Sequence, residues 1–232
     1  MLTIRKSEER GHANFGWLDS YHSFSFANYY DPKFMGFRCL RVINEDTIAG
    51  GGGFDTHPHR NMEIVSYVLE GSLSHEDSTG ERSSVRAGEV QRMTAGTGIA
   101  HSEFNSSKLD RLRFLQIWIL PNRKGLSPSY EQRSYSEEDK RGGWCLIASP
   151  DGRDRSLTIH QDVSISATIL APNEQRTYEL PPQRYAWLQM VRGEVEVNGS
   201  IVREGDGIAI EETTSLSIEA RSEAEVLLFD LP

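Results

Sequence analysis

Tyr67-Val68-Leu69-Glu70-Gly71-Ser72-Leu73 is an apolar, β-branched run broken by one glycine, and the chain repeats it as Gln189-Met190-Val191-Arg192-Gly193-Glu194-Val195. Each copy leads through a turn into a second glycine-punctuated stretch. These are Val85-Arg86-Ala87-Gly88-Glu89-Val90 in the first copy and Val202-Arg203-Glu204-Gly205-Asp206-Gly207 in the second. Short runs of this composition between Gly, Asn, Asp and Ser are the pattern of strands, not of helices. The shared order of strand, glycine turn, strand and turn points to a duplicated β domain.

Working outward, the same pattern predicts strands at Cys39–Asn44, Ile64–Leu69, Ser72–His75, Val90–Met93 and Phe114–Leu120. In the second half it predicts Tyr185–Val191, Glu194–Val197, Ile208–Glu211, Ser215–Ala220 and Val226–Leu231. Asn198-Gly199 fits the positive φ angles of a type I′ hairpin turn. Pro121 to Gly143 is polar and reads as the connection between the halves, with helix-start chemistry at Ser136-Glu137-Glu138-Asp139. The expectation is an all-β protein of two tandem sandwich or barrel domains, residues 1–130 and 131–232.

Composition narrows the function. The 232 residues carry a net charge of −9, and all of that excess lies beyond residue 130. An acidic second half disfavours direct binding to a nucleic-acid backbone. No apolar run is long enough for a membrane span or a signal peptide, so the expected compartment is the cytoplasm. Cys39 and Cys145 are the only cysteines; they form neither a disulfide framework nor a thiolate site. A bound metal would be held by nitrogen and oxygen.

His57-Pro58-His59 supplies two imidazoles at i and i+2, which share one face of a strand. Pro58 lacks a ladder donor and belongs at a strand start or edge. After the loop Ala95-Gly96-Thr97-Gly98, His101 and Glu103 form a second i, i+2 pair. Two such pairs on neighbouring strands make a four-donor site with coordination positions to spare. Glu63 is a second acid at the same parity, and spacing does not separate it from Glu103.

Gly51, His57, His59 and Glu63 resemble the first cupin motif, with Gly71 one residue late; Gly88, Gly96, His101 and Asn105 resemble the second loosely, with Thr94 in place of proline. More closely, the chain resembles the pirin family of bicupins. The resemblance rests on Gly11-His12-Ala13, Gly16-Trp17-Leu18, Phe24-Ser25-Phe26, Tyr30-Asp31-Pro32, Leu40-Arg41-Val42-Ile43-Asn44, His57-Pro58-His59-Arg60-Asn61-Met62-Glu63 and Gly96 to Glu103. It runs nearly end to end, through Leu227-Leu228-Phe229-Asp230.

This resemblance implies two cupin (double-stranded β-helix, jelly-roll) barrels. It implies a metal held by His57, His59, His101 and Glu103, with Glu63 structural. The second half has no histidine after His160 and is expected to be a degenerate, metal-free barrel. Three neutral imidazoles and one carboxylate leave a divalent ion a net charge of +1. Iron is the first expectation, with nickel, manganese, cobalt, copper or zinc as alternatives.

The implied activity is that of a quercetin 2,3-dioxygenase, which opens the heterocycle of a flavonol with O2 and releases carbon monoxide. Glu103 would serve as the catalytic base. Apolar walls are needed, with Phe54 or Phe104 as candidates. A different class remains, a non-enzymatic metal-binding regulator acting on a protein partner. A monomer is expected. His12 and His22 are assigned to packing or hydrogen bonds in an N-terminal arm, His75 to solvent, His160 to isolation, and the four tryptophans to core or interface.

Overall fold

A computed structural model describes all residues, Met1–Pro232. In chain order the first strands are β1 (Leu2–Arg5), β2 (Gly11–Asn14), β3 (Leu18–His22), β4 (Leu40–Ile48), β5 (Gly53–His59), β6 (Glu63–Glu70), β7 (Ser72–Asp77), β8 (Arg82–Arg86), β9 (Glu89–Thr94), β10 (Ile99–Asn105), β11 (Leu112–Ile119) and β12 (Ser129–Ser134). The rest are β13 (Cys145–Ser149), β14 (Leu157–Thr158), β15 (Ser164–Leu170), β16 (Gln175–Glu179), β17 (Tyr185–Arg192), β18 (Glu194–Val197), β19 (Ser200–Arg203), β20 (Gly207–Ile210), β21 (Ser215–Ala220) and β22 (Ala224–Leu231). One short helix, α1 (Glu137–Lys140), starts at a capping box in which Ser136 and Asp139 satisfy each other's backbone N–H groups. No helix is long and apolar enough to cross a membrane.

The chain forms two compact units. The first, Gly11–Tyr135 with Leu157–Gln161, has a seven-stranded sheet in the order β12-β9-β6-β11-β4-β3-β2 and a four-stranded sheet in the order β5-β10-β7-β8. The second is Met1–Arg10, Ser136–Ser156 and Asp162–Pro232, with orders β1-β20-β17-β22-β15-β13 and β16-β21-β18-β19. Adding eleven to β5, β10, β7 and β8 yields β16, β21, β18 and β19, and the same shift turns β9-β6-β11-β4 into β20-β17-β22-β15. Both units are cupin barrels, and their connectivity is that of a duplication.

The repeat holds at single residues. Gly71 and Gly193 have φ of 77° and 79°, and Gly88 and Gly205 have φ of 83° and 82°. The Asn198-Gly199 turn is left-handed at both residues, as a type I′ hairpin requires.

The units do not divide at residue 130. Pro121 to Gly143 is not simply a connection, because β12 lies within it and pairs with β9 at the edge of the first barrel. β1 pairs antiparallel with β20 and belongs to the second unit. Leu157–Gln161 belongs to the first, where the His160 backbone N–H donates to Glu63 Oε2 at 3.2 Å. A backbone ladder satisfies its donors wherever a partner strand lies, so sequence separation does not limit these exchanges.

Candidate metal centre

β5 is the edge strand of the smaller sheet in the first unit, where Pro58 removes no needed ladder donor. Against β10, His57 faces His101 and His59 faces Ile99 in register. The two strands therefore bring three imidazoles together. Ring centroids are 4.8 Å apart for His57 and His59, 4.5 Å for His57 and His101, and 4.9 Å for His59 and His101. One nitrogen from each lies within 4.8 Å of the others.

A bulge shapes the pocket beside them. The register slips between His101 and Glu103, so Glu103 faces Phe54 and β5 holds one residue more than β10 over this stretch. The extra residue switches Phe54 onto the face of His57, and both line one cavity. Within the bulge the Asp55 carbonyl lies 2.8 Å from His57 Nδ1 and accepts its proton, leaving Nε2 as the free donor atom.

The imidazoles are chemically ready for a cation. Burial, reinforced by His57, pushes His59 down to about 4. Burial and the three neighbouring histidines push His101 down to about 2. Both are neutral at physiological pH and offer lone pairs. His101 Nε2 is buried with no hydrogen-bond partner, a costly state for a polar atom unless something binds it. The donor set of imidazole and carboxylate fits a first-row divalent metal.

Glu103 is buried beside this cluster. Gln116 Nε2 donates to its Oε2 at 2.8 Å, and Gln91 Nε2 and Ser66 Oγ donate to its Oε1 at 3.1 and 3.4 Å. Burial, with Asp46 adding repulsion, raises its carboxyl to about 7 against these hydrogen bonds. Its carboxylate shares a 4.8 Å grouping with His75 and His101, and it lines the same cavity as His57 and His59. Glu63 lines neither the cavity nor either cluster. Its Oε2 lies 3.1 Å from Thr94 Oγ1 and 3.2 Å from His160 Nδ1.

The cavity measures about 450 Å³, within the range of roughly 300–1,000 Å³ usual for small-molecule pockets. Phe26 and Trp118 meet edge to face at 5.3 Å, and Trp118 also packs on His59 at 5.0 Å. Trp118 is thus a wall of the site and not only core. Phe104, one residue out of step with Glu103, lies on the opposite face of β10 and does not line the cavity. His12 and His22 do line it, along with Phe15 and Tyr29 of the N-terminal segment.

His75 and His160 differ from their sequence assignments. His75 is buried against His101 and Asp77, and His160 bonds Glu63 and Thr94. Sequence reasoning also passed over Ser66, Gln91 and Gln116. Their signal was present, since Ser66 and Gln116 sit in the middle of the apolar runs Ile64–Val68 and Phe114–Trp118. A polar group there is buried and must find a partner.

In the second unit these positions hold apolar side chains. Register and the eleven-strand offset carry Ser66, Gln91 and Gln116 onto Leu188, Ile208 and Leu228. They carry His101 and Glu103 onto Leu216 and Ile218, and all five residues belong to one buried apolar cluster. All seven histidines lie in the first unit.

Comparison with known proteins agrees with the two-barrel fold. The Pirin family model matches residues 3–119, and that of the quercetinase C-terminal cupin domain matches residues 146–231. Quercetin 2,3-dioxygenase of Escherichia coli K12 is 53% identical over 232 residues, spanning 100% of this chain and 99% of that protein. A pirin-like protein of Caulobacter vibrioides is 38% identical, spanning 99% of each. The crystal structure of the bacterial pirin YhhW from Escherichia coli in complex with nickel(II) superposes with a TM-score of 0.96 at 52% identity, covering 100% of this chain and 99% of that one. Fold and site together define a bicupin with imidazole donors in one barrel only. Within that class, the chain belongs to the pirin family.

Proposed function

We propose that the protein is a metal-dependent dioxygenase that opens flavonols such as quercetin with O2, releasing carbon monoxide, in its first barrel. His57, His59, His101 and Glu103 would hold a single divalent transition metal. The observation that carries this reading is the opening of one aromatic-walled cavity onto His57, His59 and Glu103, with the orphaned His101 Nε2 in the same imidazole cluster. The nickel(II) complex of a relative 52% identical supports metal binding, and a relative named quercetin 2,3-dioxygenase supports the substrate class.

When bound, the metal supplies Lewis acidity toward a phenolic oxygen and, if redox-active, electron exchange with O2. The protein's own groups do the rest. Glu103, the carboxylate that lines the cavity beside His57 and His59, accepts the hydroxyl proton of the flavonol as general base. Gln116, Gln91 and Ser66 fix where that carboxylate points. Phe26, Phe54 and Trp118 clasp the flat rings and keep water from the reacting face. The second barrel, whose matching positions are apolar, binds no metal and contributes packing.

The test is elemental analysis of untagged protein alongside loss of quercetin absorbance under oxygen. Glu103→Gln is expected to lower turnover by at least about 100-fold, whereas Glu63→Gln retains it. Metal binding with no turnover of any flavonol would favour a regulatory role instead. Metal content unchanged in a His57→Ala, His101→Ala double variant would remove the site.

A further inference from the structure

Behind His101 stands a buried pair that the proposed chemistry leaves unused. His75 and Asp77 face Glu103 and His101 across the β7–β10 ladder, and neither is solvated. His75 Nε2 lies 3.2 Å from Asp77 Oδ2, and His101 Nδ1 lies 3.4 Å from His75 Nδ1. Tyr130 covers the His75 ring at 4.9 Å and 33°.

We propose that Asp77 and His75 form a relay that fixes the tautomer of His101, with hydrogen on Nδ1 and the Nε2 lone pair kept for the metal. This rests on the metal centre proposed above and assigns His75 and Asp77 as positioning residues for it. The argument runs by donors and acceptors. Asp77 Oδ1 receives the Thr79 N–H at 2.8 Å, the Thr79 hydroxyl at 2.6 Å and the Glu81 N–H at 3.3 Å. Three donors on one oxygen are the surroundings of an acceptor-only carboxylate.

An ionised carboxylate only accepts, so a His75 ring carrying a single hydrogen holds it on Nε2, toward Asp77. His75 Nδ1 then carries a lone pair, and the one group beside it that donates is His101 Nδ1–H. His101 Nε2 is left as a lone pair, the same atom that is buried without a partner. A carboxylate orienting a metal-binding imidazole is a recurrent device, here lengthened by one histidine. At 3.4 Å the second link is long, so its role is orientation more than strength.

Asp77→Asn tests the polarity of the relay while keeping an acceptor for the Thr79 and Glu81 turn. Its amide can donate to His75 Nε2, which moves the His75 hydrogen to Nδ1 and forces the His101 hydrogen onto Nε2. Nickel(II) affinity, measured by chelator competition, is expected to fall about 10- to 100-fold in Asp77→Asn and His75→Leu. His75→Gln, whose side-chain oxygen can accept from His101 Nδ1–H, is expected to recover most of it. Nitrogen NMR of the metal-free protein should show His101 protonated at Nδ1 in the wild type and at Nε2 in Asp77→Asn.

Wild-type affinity in both Asp77→Asn and His75→Leu, or a wild-type His101 protonated at Nε2, would overturn the relay. So would two nickel ions per chain, because the second would claim the His75, His101 and Glu103 atoms. A wild type that binds no nickel would defeat the metal centre itself, and the tautomer measurement, needing no metal, would still decide the relay.

Discussion

In the metal-free protein the folded state releases the Glu103 proton at about 7, whereas the unfolded chain releases it near the ordinary 4.5. Between those values the folded state holds more protons, so this residue's contribution to stability falls as pH rises. At about 1.4 kcal/mol per pKa unit, roughly 2–3 kcal/mol disappears between pH 5 and pH 8. His59 runs the other way: held down to about 4, it adds stability as pH climbs toward 6.5. Glu103→Gln removes only the first effect. Denaturant unfolding of chelator-treated protein should show this variant gaining on the wild type by roughly that amount from pH 5 to pH 8. A gap that does not change with pH would contradict the buried, repelled carboxyl described here.

At the level of elements, the paired glycine turns are the strongest constraint. A Cβ on Gly71 would come within 2.6 Å of the Arg111 carbonyl oxygen, and one on Gly193 within 2.1 Å of that of Glu223. Both positions are also left-handed. Alanine at either should lower stability by about 1–3 kcal/mol in thermal unfolding, more at Gly193. These turns are also why the fold was legible from sequence: Gly71 and Gly193 announce the duplication, and the apolar runs beside them became β6 and β17. The clustering of His57, His59 and His101 was legible in their spacing, because alternation is local, whereas spacing left Glu63 and Glu103 unseparated and only the family resemblance preferred Glu103. The bulge in β5 was not. It depends on how two strands slip past each other, and without it Phe54 and Phe104 read as equal candidates. His75 read as solvated because its acidic neighbours suggested a surface turn, yet Asp77 folds inward onto the backbone of Thr79 and Glu81.

On the scale of the whole molecule, the two duplicated barrels differ in the polarity of one inner layer. One barrel keeps a polar layer of Ser66, Gln91 and Gln116 around Glu103, and the other fills the same layer with Leu188, Ile208 and Leu228. A leucine or isoleucine core needs no hydrogen-bond partners, so the second barrel packs where the first must satisfy polar groups. Its sheet is completed by β1, whose Leu2 and Ile4 pack against the apolar cluster. Removing residues 1–10 would therefore expose an unpaired edge on β20, far away in sequence. Hydrogen exchange should quicken across Gly207–Ile210 in the truncated chain; unchanged protection there would show that β1 is dispensable.

The β1–β20 ladder also sets an order of events at the ribosome. Leu2–Arg5 leaves the exit tunnel long before Gly207–Ile210, the strand it pairs with. Nascent Leu2–Arg5 must wait without its ladder partner while the histidine-bearing barrel is translated. Stalled chains ending before Gly207 should thus expose this segment to proteases or chaperones, and release of the finished polypeptide should shelter it.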